Sequence, residues 1–281
     1  MTESELLFCD VLKCGRLSLY LNKKSLLNRD ECARISLALK RRARGEPLQY
    51  ILGKSEFMGL TFKVAPEVLI PRPETEILVE TALRVAGSRA SVQARKLKIL
   101  DIGTGSGCVA VSLAKFLPEA EIYASDISAE ALEVAKENAS LNNVNIEFIQ
   151  SDLFSSRGLS TVPACRTGRD YGLIVSNPPY IPSAEIAKLQ PEIQYEPRAA
   201  LDGGADGASF FRRIIRGSLD NLCAGGFLIM EMGFNQAPEV GKIFQKYPDF
   251  EIIEVAKDYS GIERVIVAKK VINGGHLSCT N

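Results

Sequence analysis

Asn177-Pro178-Pro179-Tyr180 follows the apolar run Leu173-Ile174-Val175-Ser176. Tandem prolines remove two backbone N–H donors and fix two φ angles. Asn177, standing before a proline, is held extended. The turn is stiff and presents acceptors: the Asn177 side-chain oxygen and the Pro178 carbonyl. A planar –NH2 group offers two donors, so the match is direct. Tyr180 adds a flat ring against which a planar group can lie. The chemistry that needs such a seat is alkylation of an amide or exocyclic amino nitrogen, whose delocalised lone pair makes it a poor nucleophile. Two acceptors on its hydrogens orient it and push density back onto nitrogen, and alignment with an electrophile lowers a barrier by up to ~7–11 kcal/mol. The bland alternative is a strand-ending Pro-Pro turn beside a buried tyrosine.

A second constellation is Asp101-Ile102-Gly103-Thr104-Gly105-Ser106-Gly107. Alternate glycines let a backbone turn tightly and approach a ligand closely. Asp126 closes the next apolar run about 20 residues on, where a carboxylate grips ribose hydroxyls. The dinucleotide fingerprint is Gly-x-Gly-x-x-Gly, whereas this loop is Gly-x-Gly-x-Gly. Asp101 before the loop opposes a pyrophosphate by like-charge repulsion and suits an ammonium group. S-adenosylmethionine carries an ammonium, a sulfonium, a ribose and an adenine, and no phosphate. Asp152 ends a third run, placed to accept from an adenine amino group, with Leu153 beside the base. Alone, the glycine loop is weak evidence; three acidic strand ends in succession strengthen it.

These residues need a scaffold that brings strand ends together. Strands are expected at Leu97–Asp101, Glu121–Ser125, Ile146–Gln150, Tyr171–Ser176, Phe227–Glu231, Glu251–Ala256 and Arg264–Lys270. Helices are expected at Cys108–Leu117, Ala129–Leu141 with Ser128 as cap, Ala208–Cys223 and Gln236–Lys246. Repeated β-α-β with apolar strands means a mostly parallel sheet covered on both faces. The last two strands, with no helix between them, suit an antiparallel pair at one edge. Upstream, Glu31–Arg44 reads as a basic helix capped by Asp30 and ended by Gly45 and Pro47. Glu56–Val64 alternates like a hairpin. Pro73, Glu74 and Glu76 open a helix that runs through Ile77 and Val85 to about Gly87. Ser88–Lys96 reads as a connector and Ser155–Asp170 as a surface loop. Asp202–Gly207 has the composition of a calcium loop without the twelfth-position ligand. Phe210, Phe211, Ile214 and Ile215 read as core.

The chain has 281 residues, 46% hydrophobic and 24% charged, which excludes a mainly disordered chain or a fibre. Lys plus Arg and Asp plus Glu are 34 each, so the basic excess of a phosphate-gripping protein is absent. The run Lys40-Arg41-Arg42-Ala43-Arg44 reads as a solvated helix end. No apolar run approaches the ~20 residues of a membrane span, and the acidic start lacks a secretory signal's basic residues. Seven scattered cysteines and a single histidine, His276, disfavour disulfide scaffolds, metal sites and His-dependent nucleophilic catalysis. Reduced thiols suit a cytoplasmic setting.

The acceptor turn is shared by methyltransferases that act on planar amino groups, among them DNA adenine-N6 and protein glutamine-N5 enzymes. Further segments resemble the peptide chain release factor glutamine methyltransferases (the HemK/PrmC family). They are Arg41–Tyr50, Leu69–Glu76, Tyr195–Leu201, Gly225–Glu231, Asp258-Tyr259 and Glu263-Arg264, spread over nearly the whole chain. The resemblance implies an α/β fold: a class I S-adenosylmethionine-dependent methyltransferase, Rossmann-like, with a mostly parallel seven-stranded sheet and a small N-terminal helical domain. It implies a docking domain at 1–54, a hairpin and connecting helix at 55–90, and a methyltransferase domain at 91–281. The segment before Arg41 is shorter than the family's usual helical bundle by about one helix. The activity implied is methyl transfer from S-adenosylmethionine to the glutamine side-chain nitrogen of a release factor's Gly-Gly-Gln tip, with no membrane and no direct nucleic-acid binding. Carried over, Gly103, Thr104, Gly105, Ser106, Gly107, Asp126, Asp152 and Leu153 line the cofactor, beside Asp101 and Asn177. Asn177, Pro178, Pro179 and Tyr180 hold the glutamine, with Asn177, Pro178 and Tyr180 catalytic, and Arg72 to Glu76 edge the site. The competing readings are an adenine-N6 methyltransferase acting on DNA or RNA, a non-catalytic adenine-ligand adapter, and a dinucleotide oxidoreductase.

Overall fold

The computed structural model describes residues 2–21, 26–90, 96–155 and 171–271. His276, Cys165, Cys279, most of the Ser155–Asp170 loop and the middle of the Ser88–Lys96 connector lie outside the described residues. The chain opens with helices α1 (Glu3–Val11), α2 (Arg16–Leu21), α3 (Arg29–Arg42) and α4 (Leu48–Leu52). Leu7, Val11, Ile35, Ala38 and Leu48 form a small core of their own. The cap of α3 is Asn28, not Asp30. Its side chain accepts from Glu31 N at 2.8 Å while Glu31 accepts from Asn28 N at 2.8 Å, a reciprocal box that Asp30 inside the first turn cannot make.

Strands β1 (Lys54–Phe57) and β2 (Leu60–Lys63) form the expected hairpin, paired Phe57 to Leu60 across Met58-Gly59. Helix α5 (Thr75–Ala90) starts two residues after Pro73, with Thr75 N donating to Arg72 O at 3.0 Å, and it passes Gly87 without breaking.

The main sheet has seven strands: β3 (Lys98–Ile102), β4 (Glu121–Asp126), β5 (Glu147–Gln150), β6 (Tyr171–Ser176), β7 (Leu222–Glu231), β8 (Phe250–Lys257) and β9 (Glu263–Lys270). Their order is β5-β4-β3-β6-β7-β9-β8. The first five are parallel, while β9 runs antiparallel between β7 and β8. Helices α6 (Cys108–Phe116), α7 (Ala129–Leu141), α8 (Ser209–Asn221) and α9 (Ala237–Phe244) complete the fold.

Residues Leu78, Val79 and Ala82 of α5 and Val109, Ala110 and Leu113 of α6 cover one sheet face, together with Phe57 and Phe62 of the hairpin. Phe211, Ile214, Ile215, Val240, Ile243 and Phe244 of α8 and α9 cover the other. Burial on both faces makes the central strands largely apolar, as in Tyr171–Ser176, where every residue is buried. The strand order reverses between β3 and β6, and the crevice at that switch point, beyond the carboxyl ends of the strands, is where open α/β sheets hold ligands.

Candidate functional site

The ladders put four strand ends on one level. Ile102 pairs with Ser125 and with Ser176, and Ser176 pairs with Met230. Asp126, Gly103, Asn177 and Glu231 are therefore successive neighbours along one edge, on strands about 4.8 Å apart. Gln150 pairs with Asp126, so Asp152 lies just past the same edge. Glycine loop, carboxylate and acceptor turn, far apart in sequence, meet there.

The loop after β3 takes positive φ at Gly103 (71°), Gly105 (54°) and Gly107 (80°), a backbone path closed to other residues without strain. A Cβ on Gly103 or Gly105 meets nothing within 4 Å, so the loop's outer side is open. At Gly107 a Cβ would stand 3.0 Å from that of Ala135, which is how closely α6 packs on α7. Ser106 O accepts from Asn138 Nδ2 at 2.8 Å. Asn138, fully buried, also holds both backbone groups of Lys63, so the loop is braced against the hairpin. Only its backbone faces outward: Thr104 and Ser106 are buried.

Asp101 is 1% exposed and accepts from Thr104 Oγ1 at 2.7 Å. Its carboxylate thus shapes the loop from beneath. Burial pushes its proton affinity up to about 7, against the Thr104 hydrogen bond. Asp126 is half-buried; it accepts from Gly105 N at 2.8 Å and Ser128 N at 3.0 Å, while desolvation raises its pKa.

Both oxygens of Asp152 accept from Arg213 Nη2 of α8 at 2.7 Å, an ion pair across elements that fixes the carboxylate past the end of β5. Leu153 adopts φ 53° and packs against the core. Ile127, next to Asp126, is 60% exposed, an apolar face at the crevice that sequence reasoning overlooked. Only its exposure distinguishes it, and exposure is not written in residue type.

Beside this crevice is a cavity of about 230 Å³ whose walls include Arg72, Asn177, Pro178, Tyr180, Glu231 and Arg264. Asn177 Nδ2 donates to Thr75 Oγ1 of α5 at 3.1 Å. With its N–H held there, the Asn177 oxygen is left for the cavity. Arg72 pairs with Glu196, and Glu74 shares the wall; thus the Arg72–Glu76 segment does edge the pocket.

Tyr180 is half-buried and tightly cradled. Gln236 Nε2 donates to its carbonyl at 2.9 Å. A Cβ on Gly233 would come within 2.9 Å of its ring, and one on Gly203 within 2.8 Å of its backbone. Burial lifts its phenol well above the usual range. Glu231, Gly233 and Gln236 were not among the expected site residues, and Thr75 was expected only as part of the Arg72–Glu76 edge. The Gly-Gly-Phe-Leu-Ile-Met-Glu run marked the end of β7 without revealing where its carboxylate points. Asp202–Gly207 is a turn against Tyr180, with Ser183 and Arg198 on Asp202 and Arg212 on Asp206. Among the described residues no group of potential ligands is placed to hold a metal ion, and no helix is long and apolar enough to cross a membrane.

Residues 1–53 match the family described as the PrmC N-terminal domain and residues 79–204 the methyltransferase small domain. A release factor glutamine methyltransferase of Geobacter sulfurreducens is 44% identical over 265 residues, spanning 94% of this chain and 87% of that protein. Its namesake from Koribacter versatilis is 40% identical over 268 residues, 95% and 90% of the two chains. Among solved structures, the hMettl16 catalytic domain bound to MAT2A 3'UTR hairpin 1 superimposes with a TM-score of 0.57 at 17% identity, over 87% of this chain and 81% of that one. A human methyltransferase 10 domain containing protein gives 0.53 at 18%, over 89% and 100%. At such identity these two likenesses concern the fold alone.

Proposed function

The chain belongs to the release factor glutamine methyltransferases, and from that premise we propose that it methylates the side-chain amide nitrogen of the glutamine in a release factor's Gly-Gly-Gln tip, using S-adenosylmethionine. The observation that carries the reading is the Asn177 amide, which lines the cavity while its Nδ2 donates to Thr75 Oγ1 at 3.1 Å; its oxygen is then the group available to accept from a substrate.

The residues present fit the cofactor. The glycine loop is open outward and its backbone can be closely approached. Asp126 at the strand end suits ribose hydroxyls. Gly103 to Gly107 and Asp126 would hold it, with Asp101 acting through the loop it braces and Asp152, Leu153 and Ile127 near the base. When bound, S-adenosylmethionine supplies a methyl group made electrophilic by a sulfonium.

The chain's own residues do the rest. Asn177 Oδ1 and the Pro178 carbonyl each take one hydrogen of the substrate amide. This sets its plane against the Tyr180 ring and concentrates electron density on nitrogen. Pro178 and Pro179 have no N–H to donate and hold the acceptors rigid. Asparagine and carbonyl are uncharged acceptors, so they orient the amide without deprotonating it, and the surplus proton leaves after transfer. The neutral molecule and the glutamine specificity of the named relatives favour a protein substrate over a nucleic acid. Exposed leucines on the N-terminal helices, Leu17, Leu21 and Leu37, offer apolar surface for the body of the release factor. Work on release factors is work in the cytoplasm.

The test compares the wild type with Asn177→Ala, using a purified release factor and labelled S-adenosylmethionine. Loss of one preorganised acceptor is expected to lower the transfer rate roughly 10²- to 10³-fold, while cofactor affinity by calorimetry stays within about twofold. Equal loss of both would make the turn merely structural.

A further inference from the structure

A planar amide has two ends. Asn177 Oδ1 and the Pro178 carbonyl serve its –NH2, but its oxygen needs a donor, because a carbonyl taken out of water without one loses a hydrogen bond. The acceptor turn cannot supply that donor, since Pro178 and Pro179 have no N–H. Two guanidinium groups line the cavity, those of Arg72 and Arg264. Arg264 stands on β9 and gives its Nε to Asp258 at 2.9 Å, a carboxylate that also binds the backbone of Ser260 and Ile262. Arg72 is built on the acceptor side. Its carbonyl accepts from Thr75 N at 3.0 Å, and Thr75 Oγ1 accepts from Asn177 Nδ2 at 3.1 Å. One turn therefore carries Arg72 and anchors Asn177, and Pro71 and Pro73 on either side restrict its backbone.

Arg72 meets Glu196 through Nη2, and its Nε and Nη1 make no hydrogen bond among the described residues. A guanidinium only donates, so the direction of this bond does not depend on the protonation of the carboxyl. The Glu196 side chain is 2% exposed, against 34% for Arg72, and its other oxygen accepts from Ile70 N at 3.4 Å. A carboxylate so buried is costly, and the pairing has to offset it. The pair also has a chemical use. As the N–CH3 bond forms and the S–CH3 bond breaks, positive charge passes from sulfur to the amide until the surplus proton leaves to solvent. A bare guanidinium against that amide would oppose the transfer by Coulomb repulsion. Glu196 behind Arg72 cancels the charge and leaves the donors.

We propose that Arg72 binds the oxygen of the substrate amide, and that Glu196 is a positioning residue that holds the Arg72 guanidinium and neutralises it. The inference rests on reading the cavity as the seat of a planar amide. It adds the donor by which that seat recognises the amide at both ends.

The test assays Arg72→Met, Glu196→Gln and their double variant for methyl transfer to a purified release factor, with cofactor binding followed by calorimetry. Arg72→Met is expected to raise KM about 10- to 100-fold, the range for one hydrogen bond to a charged group, with kcat within about threefold. Glu196→Gln keeps an oxygen for Nη2 and loses only the charge, so it should lower kcat about 10-fold with KM within about threefold. In the double variant the unpaired guanidinium is gone, and kcat should recover to that of Arg72→Met. Cofactor Kd should stay within about twofold throughout. Losses in kcat that multiply, Glu196→Gln at the wild-type rate, or a KM loss seen in Arg264→Met and not in Arg72→Met overturn the proposal. If Glu196→Gln does not fold, binding decides, using a release factor whose tip glutamine is replaced by methionine. Wild type should bind it at least about 10-fold less tightly than the natural factor, and Arg72→Met should narrow that gap. A gap unchanged in Arg72→Met refutes the contact, whereas no gap in the wild type would instead sink the amide reading.

Discussion

Each carboxylate at the crevice has a different task because each has different surroundings. Asp126 is open on one side, and Asp126→Ala is expected to weaken S-adenosylmethionine binding by ~1.5–3 kcal/mol, as for a lost charged hydrogen bond. Unchanged affinity in calorimetry would remove it from the site. Asp101 and Glu231 are buried, and desolvation lifts each to about 7. Both titrate near ~4 in an unfolded chain, so the folded protein holds extra protons between about pH 4 and 7. The stability these groups confer is present at low pH and lost as pH rises through 7. The thermal midpoint of the ligand-free protein is expected to fall from about pH 5.5 to 8, and Asp101→Asn should flatten that fall. A cation above the loop favours ionised Asp101, so cofactor affinity should tighten over the same rise; a slope identical in Asp101→Asn would show that another group titrates. Asn177, Asp126 and the glycines were legible as types at strand ends. The Arg213 partner of Asp152, 61 positions away, was not, because ion pairing across elements leaves no local signal. Glu231 likewise looks like any strand-ending glutamate until its burial is seen.

The elements act as clamps on the site residues. The turn between β7 and α9 supplies Gly233, whose missing side chain makes room for the Tyr180 ring, and Gln236, which holds the Tyr180 carbonyl. Gly233→Ala should overpack the cradle, costing ~1–3 kcal/mol and displacing the ring. Thermal unfolding and kcat should both drop, whereas a drop in stability alone would show that the ring tolerates movement. Periodicity located every strand and the helices of the sheet domain, since burial on both faces imposes continuous apolar runs. Boundaries shifted where local chemistry competes. The strand β7 begins at Leu222 rather than Phe227: Leu222 pairs with Tyr171 ahead of an irregularity in the ladder, and Gly225 takes φ 71° within the strand. Read alone, Cys223-Ala224-Gly225-Gly226 looks like a turn. Helix α5 passes Gly87 without breaking; its apolar face is packed as far as Val85, and one weak helix former near the end costs only about 1 kcal/mol.

Across the whole molecule, the N-terminal helices reach the wall of the acceptor cavity. Arg42 of α3 bridges Glu3 of α1 to Glu192, and the Tyr195 hydroxyl donates to Arg44 O at 2.9 Å. Nearby, Ile193, Ala200 and Leu201 line the cavity. Those bridges are solvated, so Arg42→Ala should cost less than ~1 kcal/mol in chemical denaturation; a larger loss would mean that the helices are integral to the fold. In the proposed function this arrangement would join a surface for the release factor to a cavity for its glutamine side chain, with the crevice for S-adenosylmethionine beside it. The atom that receives the methyl group tests this account most directly. Labelled S-adenosylmethionine would be incubated with the protein, purified release factors and DNA, and the label mapped by mass spectrometry. The account predicts one label on the side-chain nitrogen of the glutamine in the Gly-Gly-Gln tip and none in DNA. A label on adenine, or on a residue without a planar –NH2, contradicts it.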